Sequence, residues 1–60
     1  MSLQSVVQGI VQAGSLTQQQ GDEIVAQGGG NFTATADAYL TAGTISKAQR
    51  DEIVAAGAGN

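Results

Sequence analysis

Two pairs of neighbouring acids, Asp22-Glu23 and Asp51-Glu52, are the first places to look for acid–base or metal chemistry in this chain. Both kinds of chemistry need carboxylates that converge on one point. Neighbours on a helix project about 100° apart, so Asp22 and Glu23 cannot grip one ion from one face. The sequence has no His and no Cys to complete either pair. Both pairs therefore read as solvated helix faces. Nucleophilic catalysis needs a base beside a Ser or Thr, and Lys47 next to Ser46 is the only candidate; Ser46 is better explained as a helix cap. Gly28-Gly29-Gly30 has neither the G-x-G-x-x-G nor the Walker spacing and follows no strand, so it reads as a linker and not a phosphate loop. The expectation is a protein with no catalytic, cofactor-binding or metal-binding residues and no cofactor, which is to say no enzyme.

What must position these residues is small. Sixty residues make one domain, 1–60, and a chain of that size buries only about 60% of the surface its unfolded form exposes. Fourteen large apolar side chains must supply the core. Without Cys or His the usual staples of a mini-protein are missing, which leaves self-association or docking onto a larger protein as the expected route to stability. A net charge of −3, with Lys47 and Arg50 the only cations, gives no basic footprint for nucleic acid or anionic lipid. No apolar run approaches the ~18 residues of a membrane span, and the N-terminus lacks the basic and apolar regions of a signal peptide. The chain is expected to remain in the compartment where it is made, cytoplasmic or virion-associated, with no membrane and no small-molecule substrate among its partners.

The architecture is written in a repeat. Residues 10–31 and 39–60 match at 11 of 22 positions with an offset of 29, which divides the chain into repeat one, 2–30, and repeat two, 31–60, joined through the glycine linker 28–30. In repeat one Leu3, Val6, Val7, Ile10 and Val11 fall on one helical stripe behind Ser2 as N-cap, with Gly14 as the left-handed stop. Repeat two places Asn31 as cap, Phe32, Thr35, Ala36, Tyr39 and Leu40 on the stripe, and Gly43 as stop. The second helix of each repeat opens at Thr17 or Ser46, with Gln20 or Gln49 three residues on, a capping box written twice. Leu16 and Ile45 are expected to plug the corners from inside, and Gly28 and Gly57 to end the second helices. The prediction is an all-α fold of four short helices in two tandem αα-hairpins.

The corner strings Ala13-Gly14-Ser15-Leu16-Thr17-Gln18-Gln19-Gln20 and Ala42-Gly43-Thr44-Ile45-Ser46-Lys47-Ala48-Gln49 resemble the SHOCT family, the short C-terminal domain built as a helical hairpin around a Gly-x-Ile-Thr-x-x-Glu corner. That family tends to carry a Phe after the acidic residue and basic residues beyond it; here Gly21 or Arg50, then acids, stand in those places. The resemblance covers about 20 residues per repeat and implies an oligomerising or docking module. The same strings look like the tail of an EF-hand loop, but that register puts Ala38, Leu40 and Ala42, or Gly9, Val11 and Ala13, where oxygen ligands belong, so calcium has nothing to hold.

Two features remain as candidate contact residues. Gly9 and Ala13, and Ala34, Ala38 and Ala42, recur at i+4 beside the apolar stripes. Such ridges either seat the hairpin's own second helix or meet another subunit. Arg50 stands where repeat one has Gly21, near the centre of the stripe of Ile53 and Val54. Its guanidinium either snorkels past the end of the stripe into solvent or anchors to a partner's carboxylate or carbonyls. The sequence thus points to contact: a small structural or assembly protein in a multi-copy array, such as a minor or cementing component of a virion or filament, acting on a protein partner or on its own copies. The alternative is a regulatory or adaptor domain that docks one specific partner, as the SHOCT resemblance implies.

Overall fold

The computed structural model describes residues 2–27 and 32–58. Four helices follow one another, α1 (Leu3–Gln12), α2 (Gln18–Ala26), α3 (Phe32–Thr41) and α4 (Lys47–Ala58), and no strand occurs among the described residues. The expected Asn31 cap and the glycine linker 28–30 lie outside the described residues.

Local chemistry accounts for where each helix begins. Ser2 adopts an extended backbone and its Oγ accepts from the Ser5 amide at 3.1 Å. This satisfies one of the N–H groups that the first turn leaves without an intrahelical partner. The two capping boxes form as the spacing predicts. Thr17 Oγ1 accepts from the Gln20 amide at 3.1 Å, and the Thr17 amide donates to Gln20 Oε1 at 2.9 Å. Ser46 and Gln49 repeat the exchange at 3.1 and 2.8 Å.

The corners are built alike too. Gly14 and Gly43 have φ of +88° and +81°, the left-handed region that glycine enters without a Cβ penalty. The amide of Gly14 donates to the Val11 carbonyl and that of Ser15 to the Ile10 carbonyl. Gly43 to Leu40 and Thr44 to Tyr39 reproduce the pair. These are two Schellman stops, which satisfy the last carbonyls of α1 and α3. Leu16 and Ile45, each 4% exposed, sit inside the corners as expected.

Helix α1 packs against α2 and α3 against α4, so each half is a hairpin. The hairpins then close on one another through α1 with α4 and α2 with α3. The result is a ring of four helices measuring 25 × 20 × 19 Å. Ile24 of α2 and Ile53 of α4, which are 29 positions apart, are both fully buried at its centre. Leu3, Val6, Val7 and Ile10 of α1, Ala36 of α3 and Ala56 of α4 belong to the same buried cluster. None of the fourteen large apolar side chains is fully exposed: eight are buried and six half-buried. Burial of this kind is the main favourable term for a chain with so few other devices.

One expected boundary is corrected. Gly57 does not end α4, which continues to Ala58. A Cβ at Gly57 would collide with the ring of Phe32 at the start of α3. The glycine admits an aromatic side chain against the helix and does not stop it.

Candidate functional site

The charged groups sort into two classes. Arg50 Nε meets Asp37 Oδ1 at 2.5 Å and Arg50 Nη1 meets Asp51 Oδ1 at 2.9 Å, while Lys47 Nζ lies 3.0 Å from Asp51 Oδ2. Both cations of the chain thus belong to one network that joins α3 to α4. Hydrogen bonds from Arg50 and Lys47 hold the Asp51 carboxyl below its ordinary range. Asp22, Glu23 and Glu52 remain without a cation among the described residues, and three carboxylates are the whole of the net charge of −3.

This network is not what the wheel of α4 alone suggests for Arg50. Within the chain the guanidinium meets Asp37 on the neighbouring helix and Asp51 beside it, while the side chain stays 30% exposed. Asp37 carried a signal that the reading of single helices missed. Counting back 29 positions, Arg50 replaces Gly21 and Asp37 replaces Gln8. The second hairpin therefore differs from the first in carrying two opposite charges on facing helices.

The small-residue ridge also turns out differently from one of its two expected uses. Gly9, Ala13, Ala34, Ala38 and Ala42 are all exposed, and a Cβ on Gly9 would meet nothing within 4 Å. They do not seat the second helix of either hairpin. In the first hairpin that task falls to buried Gly21, where a Cβ would stand 2.7 Å from Val11 Cγ2 and 3.1 Å from Val7 Cγ1. The ridges leave exposed stretches of α1 and α3 without bulky side chains.

Between the hairpins, polar side chains fix the register. Gln49 Nε2 donates to Ser15 Oγ at 2.9 Å, tying the start of α4 to the first corner. Thr35 Oγ1 donates to Gln27 Oε1 at 2.5 Å, and Tyr39 donates its phenol proton to Glu23 Oε2 at 2.9 Å, tying α3 to α2. Partial burial, and then the Glu23 carboxylate as acceptor and neighbouring charge, raise the Tyr39 pKa above 10.0. The paired acids stay apart as nearest neighbours must: Asp22 accepts from Gln18 in its own helix, and Glu23 faces Tyr39.

No family model, curated protein or solved structure matches this chain.

Proposed function

We propose that this chain is a non-enzymatic assembly protein that works by protein–protein contact as one of many copies in a larger array, for example as a minor or cementing component of a virion or filament. The observation that carries this reading is the exposure of the small-residue faces, Gly9 and Ala13 on α1 and Ala34, Ala38 and Ala42 on α3. Helix surfaces without bulky side chains let a partner backbone come close and bury area with little loss of side-chain entropy. The surface chemistry agrees with it: a composition rich in Gln, Ser, Thr, Ala and Gly, only two cations, and neither His nor Cys to support a nucleophile or a general base.

The test is sedimentation of native material followed by mass spectrometry of each fraction. An array component is recovered in large particles at stoichiometric or higher ratio to their main protein. Recovery only in small complexes of fixed composition overturns the array reading and leaves the adaptor.

A further inference from the structure

A groove of ≈ 380 Å³ runs between α1 and α4, lined by Val6, Gly9, Ile10, Ala13, Gln49 and Glu52 among others. Val6 and Ile10 are otherwise buried and give it an apolar floor. Gly9 leaves one wall open, since nothing stands within 4 Å of where its Cβ would be. The Gln49 amide is already engaged, accepting from the Ser46 amide and donating to Ser15. Glu52 is exposed, and among the described residues no cation or hydrogen-bond donor reaches its carboxylate.

The other inter-hairpin seam indicates what belongs there. In the 29-residue register Ile10 corresponds to Tyr39 and Glu52 to Glu23, and the α1–α4 contact corresponds to the α2–α3 contact. At the α2–α3 seam Tyr39 packs against the core cluster and its hydroxyl donates a hydrogen bond to Glu23 Oε2. An apolar body ending in a donor therefore completes the Glu23 side from within the chain. At the α1–α4 seam Ile10 ends in a methyl, and Glu52 has no such donor.

We propose that the α1–α4 groove receives a lysine or arginine side chain of a partner protein, its aliphatic stem on Val6, Ile10, Gly9 and Ala13 and its cationic head on Glu52. This rests on the reading of the chain as a contact protein and names the chemistry of what it contacts. Charge selects the occupant. The chain is net −3, so the field at its surface favours a cation over a neutral phenol. A second copy is the poorer source, because two chains of net −3 repel and its two basic side chains, Lys47 and Arg50, already have carboxylate neighbours in their own chain. The stem-and-head fit is the way long basic side chains cover apolar surface while keeping their charge at its edge. Copies in an array would then be held by a basic partner and not by one another.

The probe is a capped pentapeptide with one central arginine among alanines, titrated into the isotope-labelled full chain while amide resonances are followed. The expected result is saturable shifts confined to residues 5–13 and 49–52 at millimolar peptide. Glu52→Gln should weaken binding about threefold to fivefold, as loss of one exposed ion pair does. Gly9→Leu, which fills the groove from the side, should abolish it while the helical circular dichroism is retained. Asp22→Asn, on α2, should leave it unchanged. Equal weakening by Asp22→Asn and Glu52→Gln would reduce the effect to general attraction and overturn the site. So would the absence of saturable shifts, or tighter binding of a peptide with tyrosine at its centre. The peptide titration and the particle sedimentation are separate readouts. A chain that binds the peptide but never enters large particles fails the array reading alone, and a chain found in particles that ignores the peptide fails the groove alone.

Discussion

Arg50 and Asp37 face each other across the α3–α4 contact with Nε and Oδ1 2.5 Å apart, at the level where the first hairpin has buried Gly21 between Val7 and Val11. The two hairpins solve one packing problem in two ways. In the first, bulky valines on α1 require a residue with no side chain on α2. In the second, Ala36 and Leu40 occupy the valine positions and a long residue stands opposite. The second hairpin carries the larger side-chain volume, and Arg50, 30% exposed, takes its excess length out to Asp37.

The Arg50→Met variant keeps the stem and removes the charge, so it should fold and melt below the parent near neutral pH. The difference should be pH-dependent in a stated direction. Arg50 and Lys47 depress the Asp51 pKa below 3.8. Their contribution is present above that unfolded-state value and is lost as pH falls through the lower folded-state value. Melting followed by circular dichroism from about pH 7 to about pH 2 should show parent and variant converging at the acid end. A constant gap across that range would mean that Arg50 matters for packing alone.

Tyr39→Phe removes the hydroxyl that joins α3 to α2 without changing the ring. The loss should be about 0.5 to 1 kcal/mol, the range for a hydrogen bond not deeply buried. The sign at alkaline pH is opposite to that of Asp51. Burial and Glu23 raise the phenol's pKa above 10.0, so the stability it supplies is whole below 10.0 and lost as pH rises through the folded-state value. Near-ultraviolet titration of the phenolate should give a midpoint above that of free tyrosine, and Tyr39→Phe should flatten the alkaline limb of the melting curve.

The caps should weigh equally. Thr17 and Ser46 accept from the amides of Gln20 and Gln49 at the same 3.1 Å. Thr17→Ala and Ser46→Ala should each cost about 0.5 to 2 kcal/mol in urea denaturation. A null effect at one site and a large one at the other would show that two caps alike in geometry are not alike in energy.

Elements whose chemistry is local could be read from the chain. Ser2, Thr17 and Ser46 cap by reaching three residues ahead, and Gly14 and Gly43 stop helices through their own φ. Such contacts span fewer than six positions, so spacing alone determines them. Contacts between helices were hidden. A wheel drawn for α4 puts Arg50 on an apolar stripe but says nothing of Asp37 thirteen residues earlier. Gly57 reads as a terminator in one dimension and as a seat for Phe32 in three. The α1–α4 groove combines Gly9 and Ala13 with Glu52 from the far end of the chain, a juxtaposition that closing the ring creates.

Four glycines give the most discriminating set of variants, because they stand in three different environments. At Gly14 and Gly43 the backbone is left-handed, with φ +88° and +81° and open space around the missing Cβ. Gly14→Val and Gly43→Val should each cost about 1 to 3 kcal/mol through backbone strain. Gly21 is helical, but its Cβ would stand 2.7 Å from Val11 Cγ2. Gly21→Ala should therefore cost about 1 to 3 kcal/mol through overpacking, and Val11→Ala should recover part of that loss by making room. Gly9 has ordinary helical backbone and empty space where a Cβ would go. There a methyl group only restrains the unfolded chain, and Gly9→Ala should stabilise the protein by about 0.8 to 1 kcal/mol. Urea denaturation of the four variants should give three losses and one gain; a loss at Gly9 would mean that the outer face of α1 is already packed against something in solution.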